Sequence, residues 1–331
     1  MNKIDYLRKH FSEILHVYIG NKINIISKYF YLLDWLFAFL LHGASINDYF
    51  AYGFYKTRYN GRREFITYRQ HKKIQNKCNK IIEDRQLCRD KVKFNNCFNN
   101  YLGRQWLDID HCTFDEFKDF VSSVDSIFVK DNNGFCGRNI EVYKSEDVQL
   151  QELYMKLKGD DKHKYIIEEK LLQTGELAEF HPWSVNTIRI VTIYDDRSDV
   201  VHFMKANLRI GNKKNKLDNF HHEGIAAHID IDTGVITSLG YDKYNNTYIN
   251  HPVTNKQIVG FVVPYWQKCK QHVEDIARLF TTVRYVGWDI VLQDNGSFLL
   301  IEANDNADHD IQQLHNGGLW KQYRKIMQTL S

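Results

Sequence analysis

The segment "GWDIVLQDNGSFLLIEAND", residues 287–305, constrains the fold of this chain more than any other stretch because it predicts two paired strands. Both halves are rich in apolar residues, and Asn295–Gly296 between them is the strongest short-range signal for a two-residue hairpin turn. A turn at that point places Ile290 opposite Ile301. The sequence therefore predicts an antiparallel hairpin with a defined register.

In the same register, two carboxylates become cross-strand neighbours, since Asp289 lies opposite Glu302. Opposed residues have their Cβ atoms roughly 5 Å apart, and like charges there destabilise the pair, so we expect a positive group between them. Asn304 shares the face of Glu302 because side chains alternate along a strand. Carboxylate and amide oxygens are typical ligands of Mg²⁺, which takes its other ligands from water and substrate phosphates. The alternative is a solvated hairpin end whose carboxylates point into water.

The rest of the chain divides into a helical part and a part rich in strands. Residues 1 to about 115 are predicted to be helical, with apolar spacing at 4–19 and 23–41 and a polar stretch at 70–100, and further helices are predicted at 145–158 and 259–280. Strands are predicted at 126–130, 165–169, 187–194, 200–210, 224–231 and in the hairpin 287–303. This arrangement predicts an α+β architecture in two lobes, preceded by a mostly helical N-terminal region.

Composition narrows the class of protein. The formal net charge is only +3 with 26% charged residues, which argues against a nucleic-acid partner. The six cysteines form no CxxC pair, and the N-terminus lacks a cleavable apolar signal segment. We therefore expect free thiols in a cytoplasmic protein.

One apolar stretch raises the question of a membrane. "YFYLLDWLFAFLL", residues 29–41, is shorter than the ~20 residues of a membrane span, and Asp34 interrupts it. We interpret it as a buried helix. The alternative is a peripheral amphipathic contact with a membrane, favoured by the nearby Lys22 and Lys28.

Two segments carry signals for a nucleotide. In "FVKDNNGFCGRNI", Lys130 ends a strand and is followed by Gly134 and Gly137. Glycines allow backbone N–H groups to approach phosphate oxygens, and the lysine supplies a charge for them. The spacing fits neither the P-loop nor the dinucleotide fingerprint, so an ordinary hairpin loop is an equal alternative.

The second segment is "YIIEEKLLQTGEL", residues 165–177, in which an apolar strand runs into 168–171. Extended backbone there could hydrogen-bond an adenine edge, and a carboxylate could bind the ribose hydroxyls. Charges on an exposed edge strand would give the same pattern.

Arginines on two central strands complete the set of candidate residues. In "SVNTIRIVT" the alternation places Asn186, Ile188 and Ile190 on one face and Arg189 on the other, where it requires a carboxylate or phosphate partner. An internal salt bridge would satisfy it equally. Further charged or titratable candidates follow at Lys205, Arg209, His221 and His222. Adjacent histidines on a strand point to opposite faces, which argues against a shared zinc ion.

The order of these motifs resembles the ATP-grasp superfamily. Four stretches, 40–55, 184–192, 218–225 and 287–305, look like the sugar-transfer-associated ATP-grasp proteins found with bacterial surface-polysaccharide biosynthesis. The resemblance covers roughly residues 30–315 and implies two α+β lobes that enclose a nucleotide. It implies three domains: a helical N-terminal region at 1–115 that could bind the acceptor, a lid lobe at 116–185 and a C-terminal lobe at 186–331.

The resemblance also implies a role for each candidate residue. It implies that the phosphates are bound by Lys130, Gly134, Gly137 and Arg138. The adenine hinge would consist of Glu168, Glu169, Lys170 and Leu171, and the ribose would be bound by Glu176, with Glu179 as the alternative. Further nucleotide contacts would come from Asn186 and Lys205. The catalytic residues would be Arg189 and Arg209, and the Mg²⁺ ligands would be Asp289, Glu302 and Asn304. The loop departs from the family pattern at Arg138 and Asn139, where lysine and glycine are frequent.

The implied activity is that of an ATP- and Mg²⁺-dependent carboxylate–amine ligase acting through an acyl phosphate. Its expected setting is the modification of a capsule or lipopolysaccharide sugar, such as joining an amino acid to a uronic acid. The alternatives are a sugar or polyol kinase and a non-catalytic accessory subunit of a glycosyltransferase complex. Acceptor specificity is expected in the N-terminal region and around Arg62, Arg63, His221 and His222.

Overall fold

The architecture was determined from a computed structural model, which describes residues 3–20, 23–57, 59–134, 140–212 and 223–330. The chain begins with a helical region, as the sequence predicts. Its helices are α1 (Lys3–Ile19), α2 (Ile25–His42), α3 (Ile46–Ala51), α4 (Tyr59–Arg62), α5 (Tyr68–Cys78), α6 (Ile82–Arg85), α7 (Lys91–Cys97) and α8 (Asn99–Leu102).

Helix α2 has well-formed ends. The Asn24 side chain accepts a hydrogen bond from the Ser27 N–H at 2.8 Å, which satisfies one of the free donors of the first turn. Gly43 follows the last turn in the left-handed conformation, with φ 70°, where glycine carries no Cβ penalty. A residue with a Cβ at this position would also collide with the Arg69 side chain.

The interpretation of α2 as a buried helix is wrong, because only Ala38 and His42 of its residues are buried. Its one acidic residue, Asp34, points toward the protein and pairs with Arg62 of α4, so the opposite face is turned outward. We call that outward face the α2 apolar face; its members are Ile26, Tyr29, Phe30, Leu33, Phe37 and Leu40, each 58–77% exposed.

Asp34 anchors α2 through a polar cluster. Its carboxylate accepts from Arg62 Nη1 at 2.9 Å, from Arg62 Nη2 at 2.7 Å and from the Tyr49 hydroxyl at 2.7 Å. Burial would raise the pKa of Asp34, but hydrogen bonds from Arg62 and Tyr49 outweigh it and the pKa is lowered. The carboxylate is therefore ionised at neutral pH.

Asp34→Asn should lower the free energy of unfolding by about 1–3 kcal/mol, because the Arg62 guanidinium, only 8% exposed, loses its counter-ion. Urea unfolding of the two proteins at pH 7 measures the difference. Asp119→Asn, at an exposed position, is the matched control and should change stability by less than about 0.5 kcal/mol. Equal stability of Asp34→Asn and the wild type would contradict this role.

A four-stranded antiparallel sheet forms the first lobe. Its strands are β1 (Trp106–Asp108), β2 (Ser126–Asp131), β3 (Ile140–Lys144) and β4 (Tyr165–Glu169), in the order β1-β4-β2-β3. Helices α9 (Phe114–Ser123) and α10 (Leu150–Lys158) pack against it, with Phe117 and Leu153 in one apolar cluster with Ile127 and Ile167. Because β4 lies inside the sheet, the charges at its end are not those of an edge strand.

A seven-stranded sheet forms the second lobe, and its neighbouring strands are also antiparallel. Its members are β5 (Thr187–Asp195), β6 (Val200–Ile210), β7 (Ile225–Ile229), β8 (Gly240–Tyr241), β9 (Thr247–Tyr248), β10 (Tyr285–Leu292) and β11 (Phe298–Asn304). They lie in the order β11-β10-β5-β6-β7-β8-β9, accompanied by α11 (Trp266–Leu279) and α12 (Trp320–Thr329). The predicted long strands are confirmed, and the helices predicted at 145–158 and 259–280 are present but begin later, at Leu150 and Trp266. Strands β1, β3, β8 and β9 were too short or too polar to predict.

The two faces of β5 differ as predicted. Ile188 and Ile190 are fully buried in the main core with Val273 and Ile276 of α11. Burying each such side chain contributes roughly 1.5–3 kcal/mol. Arg189 lies on the other face, so the same strand that builds the core also presents a cation beside the cleft.

The hairpin of β10 and β11 has a longer turn than predicted. Gln293 N–H donates to the Ser297 carbonyl at 3.0 Å, which leaves the three residues 294–296 in the loop, with Gly296 at φ 77°. Three-residue hairpin loops commonly end in a left-handed residue, the conformation that Gly296 has here. Ile290 therefore pairs with Leu300, and the predicted pairing of Ile290 with Ile301 is wrong.

A β-bulge shifts the register of the strand pair next to the two carboxylates. The ladder shifts between Asp289 and Ile290, Ile301 is the extra residue, and Asp289 faces Glu302 as predicted. Without the shift, Glu302 would lie opposite Trp288, whose side chain is buried in the main core. The bulge thus keeps Glu302 on the face of the cleft.

Candidate nucleotide site

A cavity of about 770 Å³ is lined by residues of both sheets. One part of it is apolar, formed by Phe128, Ile140 and Val142 of the small sheet together with Leu171 and Ile301. Ile301, the extra residue of the bulge, and Glu302 both line this cavity. Consecutive residues of a regular strand point to opposite faces.

The segment after β4 is held as a hinge between the lobes. Glu169 N–H donates to the Gln105 carbonyl and Lys170 N–H to the Ser126 carbonyl, both at 2.9 Å. Gln293, directly before the hairpin loop, donates its side-chain amide to the Leu172 carbonyl at 3.0 Å. Among the described residues, no hydrogen bond occupies the backbone groups of Leu171. These groups border the apolar part of the cavity and can receive the polar edge of a flat ring.

Lys130 lies on the cavity wall within a buried ionic network. Its ammonium contacts Glu168, whose other carboxylate oxygen accepts from Arg104 at 3.0 Å and from the Asn95 amide at 2.9 Å. Burial alone would raise the pKa of Glu168, but Arg104 and Lys130 hold it well below its usual value. Glu168 therefore acts as a fixed anion that orients Lys130 toward the cavity.

Lys130→Ala should weaken nucleotide binding while the fold stays intact. Glu168 keeps Arg104 as its counter-ion, and Lys130 does not fill the core. A hydrogen bond from a charged group contributes about 1.5–3 kcal/mol, so the thermal stabilisation by Mg-ADP should shrink. Lys144→Ala on β3, whose side chain is 69% exposed, is the matched control. Undiminished stabilisation of Lys130→Ala would exclude this residue from the site.

A positive group was predicted between Asp289 and Glu302, and the structure has two arginines beside Asp289. Arg189 contacts the Asp289 carboxylate through Nε and through Nη2 at 2.8 Å, and Arg209 Nη1 lies 2.9 Å from Asp289 Oδ2. Burial would raise the pKa of Asp289, but Arg189 and Arg209 hold it well below its usual range. All three groups are at least 90% buried.

Glu302 has a different environment from the aspartate it faces. About half of its side chain is accessible (52%), because it forms part of the cavity wall. Withdrawal from bulk water within the cleft and the neighbouring Asp289 both raise the pKa of Glu302. Asn304 donates its amide to Glu302 Oε1 at 3.0 Å, and the nearest Arg189 nitrogen is 3.8 Å away.

The donor atoms at this end of the cavity fit Mg²⁺ by their chemistry. Glu302 and Asn304 supply oxygen atoms on the cavity wall, and Mg²⁺ uses one or two carboxylates together with phosphates and water. Within the described residues, no three His, Cys, Asp or Glu side chains form a metal cluster. Asp289 is engaged by the two arginines, so Glu302 and Asn304 would hold the ion.

The N-terminal region reaches into the cavity and fixes the start of the glycine loop. Lys91 of α7 donates to the backbone carbonyls of Asp131 at 2.8 Å, Asn132 at 3.2 Å and Gly134 at 2.6 Å. Gly134 lines the cavity. The predicted phosphate contacts Gly137 and Arg138 lie outside the described residues.

The profile of one protein family covers most of the chain. The sugar-transfer associated ATP-grasp family matches residues 54–328. The chain belongs to this family. Its fold is therefore the ATP-grasp fold, and the resemblance noted in the sequence is confirmed.

Solved ATP-grasp proteins have similar but distant structures. The ATP-grasp ligase PsnB, bound to a minimal precursor, is 13% identical over 74% of this chain and 62% of its own, with a TM-score of 0.46. D-alanyl-alanine synthetase A from Vibrio cholerae is 13% identical over 73% and 64%, with a TM-score of 0.45. N5-carboxyaminoimidazole synthetase from Staphylococcus aureus, bound to ADP, is 9% identical over 74% and 52%, with a TM-score of 0.43.

The chain corresponds to only part of each of these solved proteins. The chain spans less than two thirds of the length of each of these proteins. A sequence comparison with curated proteins found no match.

Four predicted contacts of this ATP-grasp chain do not line the cavity. Asn186 is fully buried and donates to the Leu177 and His181 carbonyls at 2.9 and 3.3 Å, so it holds the segment before β5. Lys205 lies in the middle of β6, where burial lowers its pKa to about 8. Glu176 is exposed, and Glu179 pairs with Lys256. The assignment of the ribose to Glu176 or Glu179 stays a prediction.

The described residues that were expected to select the acceptor do not line the cavity either. Arg62 is buried against Asp34, and Arg63 is exposed with its guanidinium 5.1 Å from the centre of the Tyr59 ring, so neither lines the cavity. His221 and His222 lie outside the described residues.

Sequence reasoning missed the cationic residues that the helical region contributes. Arg104 donates to the Leu300 carbonyl of β11 at 2.8 Å as well as to Glu168, and so connects the two sheets. Arg85 and Arg89 lie 2.6 and 3.0 Å from Asp305, directly after the Glu302–Asn304 segment. The acidic residue at the end of "IEAND" was the one available signal for such partners.

Proposed function

We propose that this ATP-grasp protein is an ATP- and Mg²⁺-dependent carboxylate–amine ligase. The observation that carries the proposal is the division of the cavity into an apolar part next to the hinge and a charged part. The apolar part suits a purine ring, and Leu171 offers it backbone hydrogen bonds. The charged part combines Lys130, Arg189 and Arg209 with the oxygen donors of Glu302 and Asn304, as the polyphosphate of a nucleotide requires.

The reaction has two steps. A carboxylate oxygen of the acceptor attacks the γ-phosphorus of ATP, and the bond between the γ-phosphorus and the oxygen that bridges to the β-phosphate breaks. The products of this step are an acyl phosphate and ADP. The nitrogen of an amine then attacks the acyl carbon, the C–O bond to phosphate breaks, and the nitrogen loses a proton. An amide, ADP and phosphate are the products.

The chain contributes position and charge to these steps. Arg209, which lines the cavity and is held by Asp289, would face the transferred phosphoryl group and stabilise the negative charge that develops there. Arg189 fixes Asp289, and Lys130 holds the nucleotide phosphates. Glu302 and Asn304 would hold a Mg²⁺ ion, which would neutralise charge on those phosphates. No nucleophilic side chain is needed.

The family name and the sequence resemblance together support a sugar acid as acceptor. We propose that the carboxylate belongs to a uronic acid of a surface polysaccharide or its precursor, and the amine to an amino acid. This setting places the reaction in the cytoplasm, before the polysaccharide is exported.

The test is a product assay with ATP, Mg²⁺ and a panel of sugar acids and amines, in which ADP and AMP are measured in parallel. We expect ADP and phosphate that depend on both substrates, and no product from Glu302→Gln. AMP as product would overturn the acyl-phosphate mechanism. A stable phosphorylated sugar formed without amine would identify a kinase, and nucleotide binding without any product would identify an accessory subunit.

A further inference from the structure

The α2 apolar face is an unusual surface for a protein in water. Ile26, Phe30 and Leu33 are 77%, 64% and 58% exposed, and Phe37 and Leu40 continue the row at 63% and 66%. These positions recur at three and four residues, so they form one stripe along the helix. Large exposed apolar patches mark interaction sites.

Helix α2 turns Asp34 and His42 toward the protein. Asp34 faces Arg62, and His42 is buried against the Tyr59 ring, whose centre is 4.9 Å away. A surface helix that is covered only by water has the opposite arrangement. Because Asp34 makes three hydrogen bonds to the body, the apolar face is fixed outward.

The charge of the surrounding region indicates what covers this face. Residues 1–78 contain 13 Lys and Arg against 5 Asp and Glu, a net charge of +8. The whole chain has a net charge of +3, so residues 79–331 carry −5. The positive charge is therefore concentrated in the part of the chain that holds α2.

Cations stand at both ends of the stripe. Lys28 is exposed in the first turn of α2. At the other end, Arg69 donates to the carbonyls of Phe39 and Leu40 at 3.0 and 3.1 Å, and Arg63 is exposed beside Tyr59. Exposed tyrosines, Tyr29, Tyr59 and Tyr68, also lie in this region. Basic residues and tyrosines around an apolar stripe are typical of helices that lie in a membrane interface.

We propose that the α2 apolar face binds the surface of an anionic lipid bilayer, with the helix parallel to the membrane plane. This inference goes beyond the ligase activity and does not depend on it. Among the described helices, α2 is the one long and apolar enough to cross a membrane. Crossing would require Asp34 to leave Arg62, whereas interfacial binding keeps the ion pair intact and buries only the outward stripe.

A second copy of the chain is a poorer occupant, because two regions with a net charge of +8 would repel each other. Anionic headgroups attract the same region, over a distance of about 8 Å at physiological ionic strength. The apolar stripe and the cations at its two ends thus both favour an anionic bilayer.

The test is co-sedimentation of the full chain with vesicles of phosphatidylcholine alone and of phosphatidylcholine with phosphatidylglycerol. We expect binding to the anionic vesicles that weakens with salt. The double variant Ile26→Glu/Phe37→Glu should bind the anionic vesicles with an affinity at least roughly tenfold lower, because it puts charges in the stripe. The matched control is Ile249→Glu/Val262→Glu, at residues 64% and 56% exposed and distant from α2 in the chain. It should bind as the wild type does.

Two further measurements keep the outcomes distinct. Circular dichroism establishes that both double variants are folded, and sedimentation velocity without lipid reports the oligomeric state. A wild type that stays in solution with anionic vesicles would overturn the proposal, as would equal binding by a folded Ile26→Glu/Phe37→Glu variant. A wild-type dimer that this variant converts to monomers, without any vesicle binding, would assign the face to self-association instead.

Discussion

Asp289→Asn is expected to lower the free energy of unfolding by about 3–5 kcal/mol. Asp289 is the shared counter-ion of Arg189 and Arg209, and each arginine is only 7% exposed. An asparagine has nearly the same shape but no charge, so two guanidinium groups would stay close together without their anion. The cost is therefore the burial of uncompensated positive charge rather than the loss of packing.

Urea unfolding at pH 7, followed by circular dichroism, measures this difference. The slope of the transition should stay the same, since the surface exposed on unfolding does not change. A loss below about 1 kcal/mol would show that the two arginines find other anions, such as Asp308, which lies 3.9 Å from Arg189.

Glu302→Gln is expected to abolish ADP formation while leaving the stability of the protein without ligand unchanged or slightly higher. The raised pKa of Glu302 means that the folded protein disfavours its charge, because of the cleft and of Asp289. Neutralising the side chain removes that repulsion. It also removes the carboxylate that we propose as a ligand of Mg²⁺, without which the nucleotide phosphates are held less tightly.

Melting temperatures with and without Mg-ADP separate the two effects. A ligand that binds only the folded protein stabilises it by about 2.7 kcal/mol at a concentration one hundred times its Kd. The wild type should show this shift, and Glu302→Gln should lose most of it. Equal shifts in both proteins would exclude Glu302 from the metal site and would fit carboxylates that merely point into water.

The two substitutions are controls for each other. Both convert a carboxylate to its amide, at positions that face each other across one strand pair. We expect a loss of stability at Asp289 and none at Glu302, because arginines surround the first and the cleft surrounds the second. A similar change in both would mean that the local charges do not determine the outcome.

Much of this arrangement could be predicted from short-range patterns. Alternation along β5 placed Arg189 opposite the core residues Ile188 and Ile190, and the period of two on β11 placed Asn304 with Glu302. These predictions hold because side-chain direction in a strand depends only on local backbone geometry. The need for a positive group between Asp289 and Glu302 followed from charge alone, and arginines of β5 and β6 lie beside Asp289.

Other features depend on contacts between distant parts of the chain. The Glu168 carboxylate was predicted to border the nucleotide, but its partner Arg104 lies 64 residues away and turns it into the anchor of Lys130. Hydropathy could identify α2 as an apolar helix but not the face that meets the protein. That choice depends on Arg62, which is 28 residues further on.

The bulge at Ile301 has a consequence for how this protein tolerates changes in length. The hairpin loop contains one residue more than a tight turn, and the bulge absorbs the difference before the ladder reaches Glu302. Loop and carboxylate pair are thereby uncoupled, so an insertion or deletion near residues 294–296 can be compensated at residue 301. Relatives of this chain should accordingly vary in the spacing between the two acidic positions while keeping them face to face, and a search that demands one fixed spacing would miss some of them.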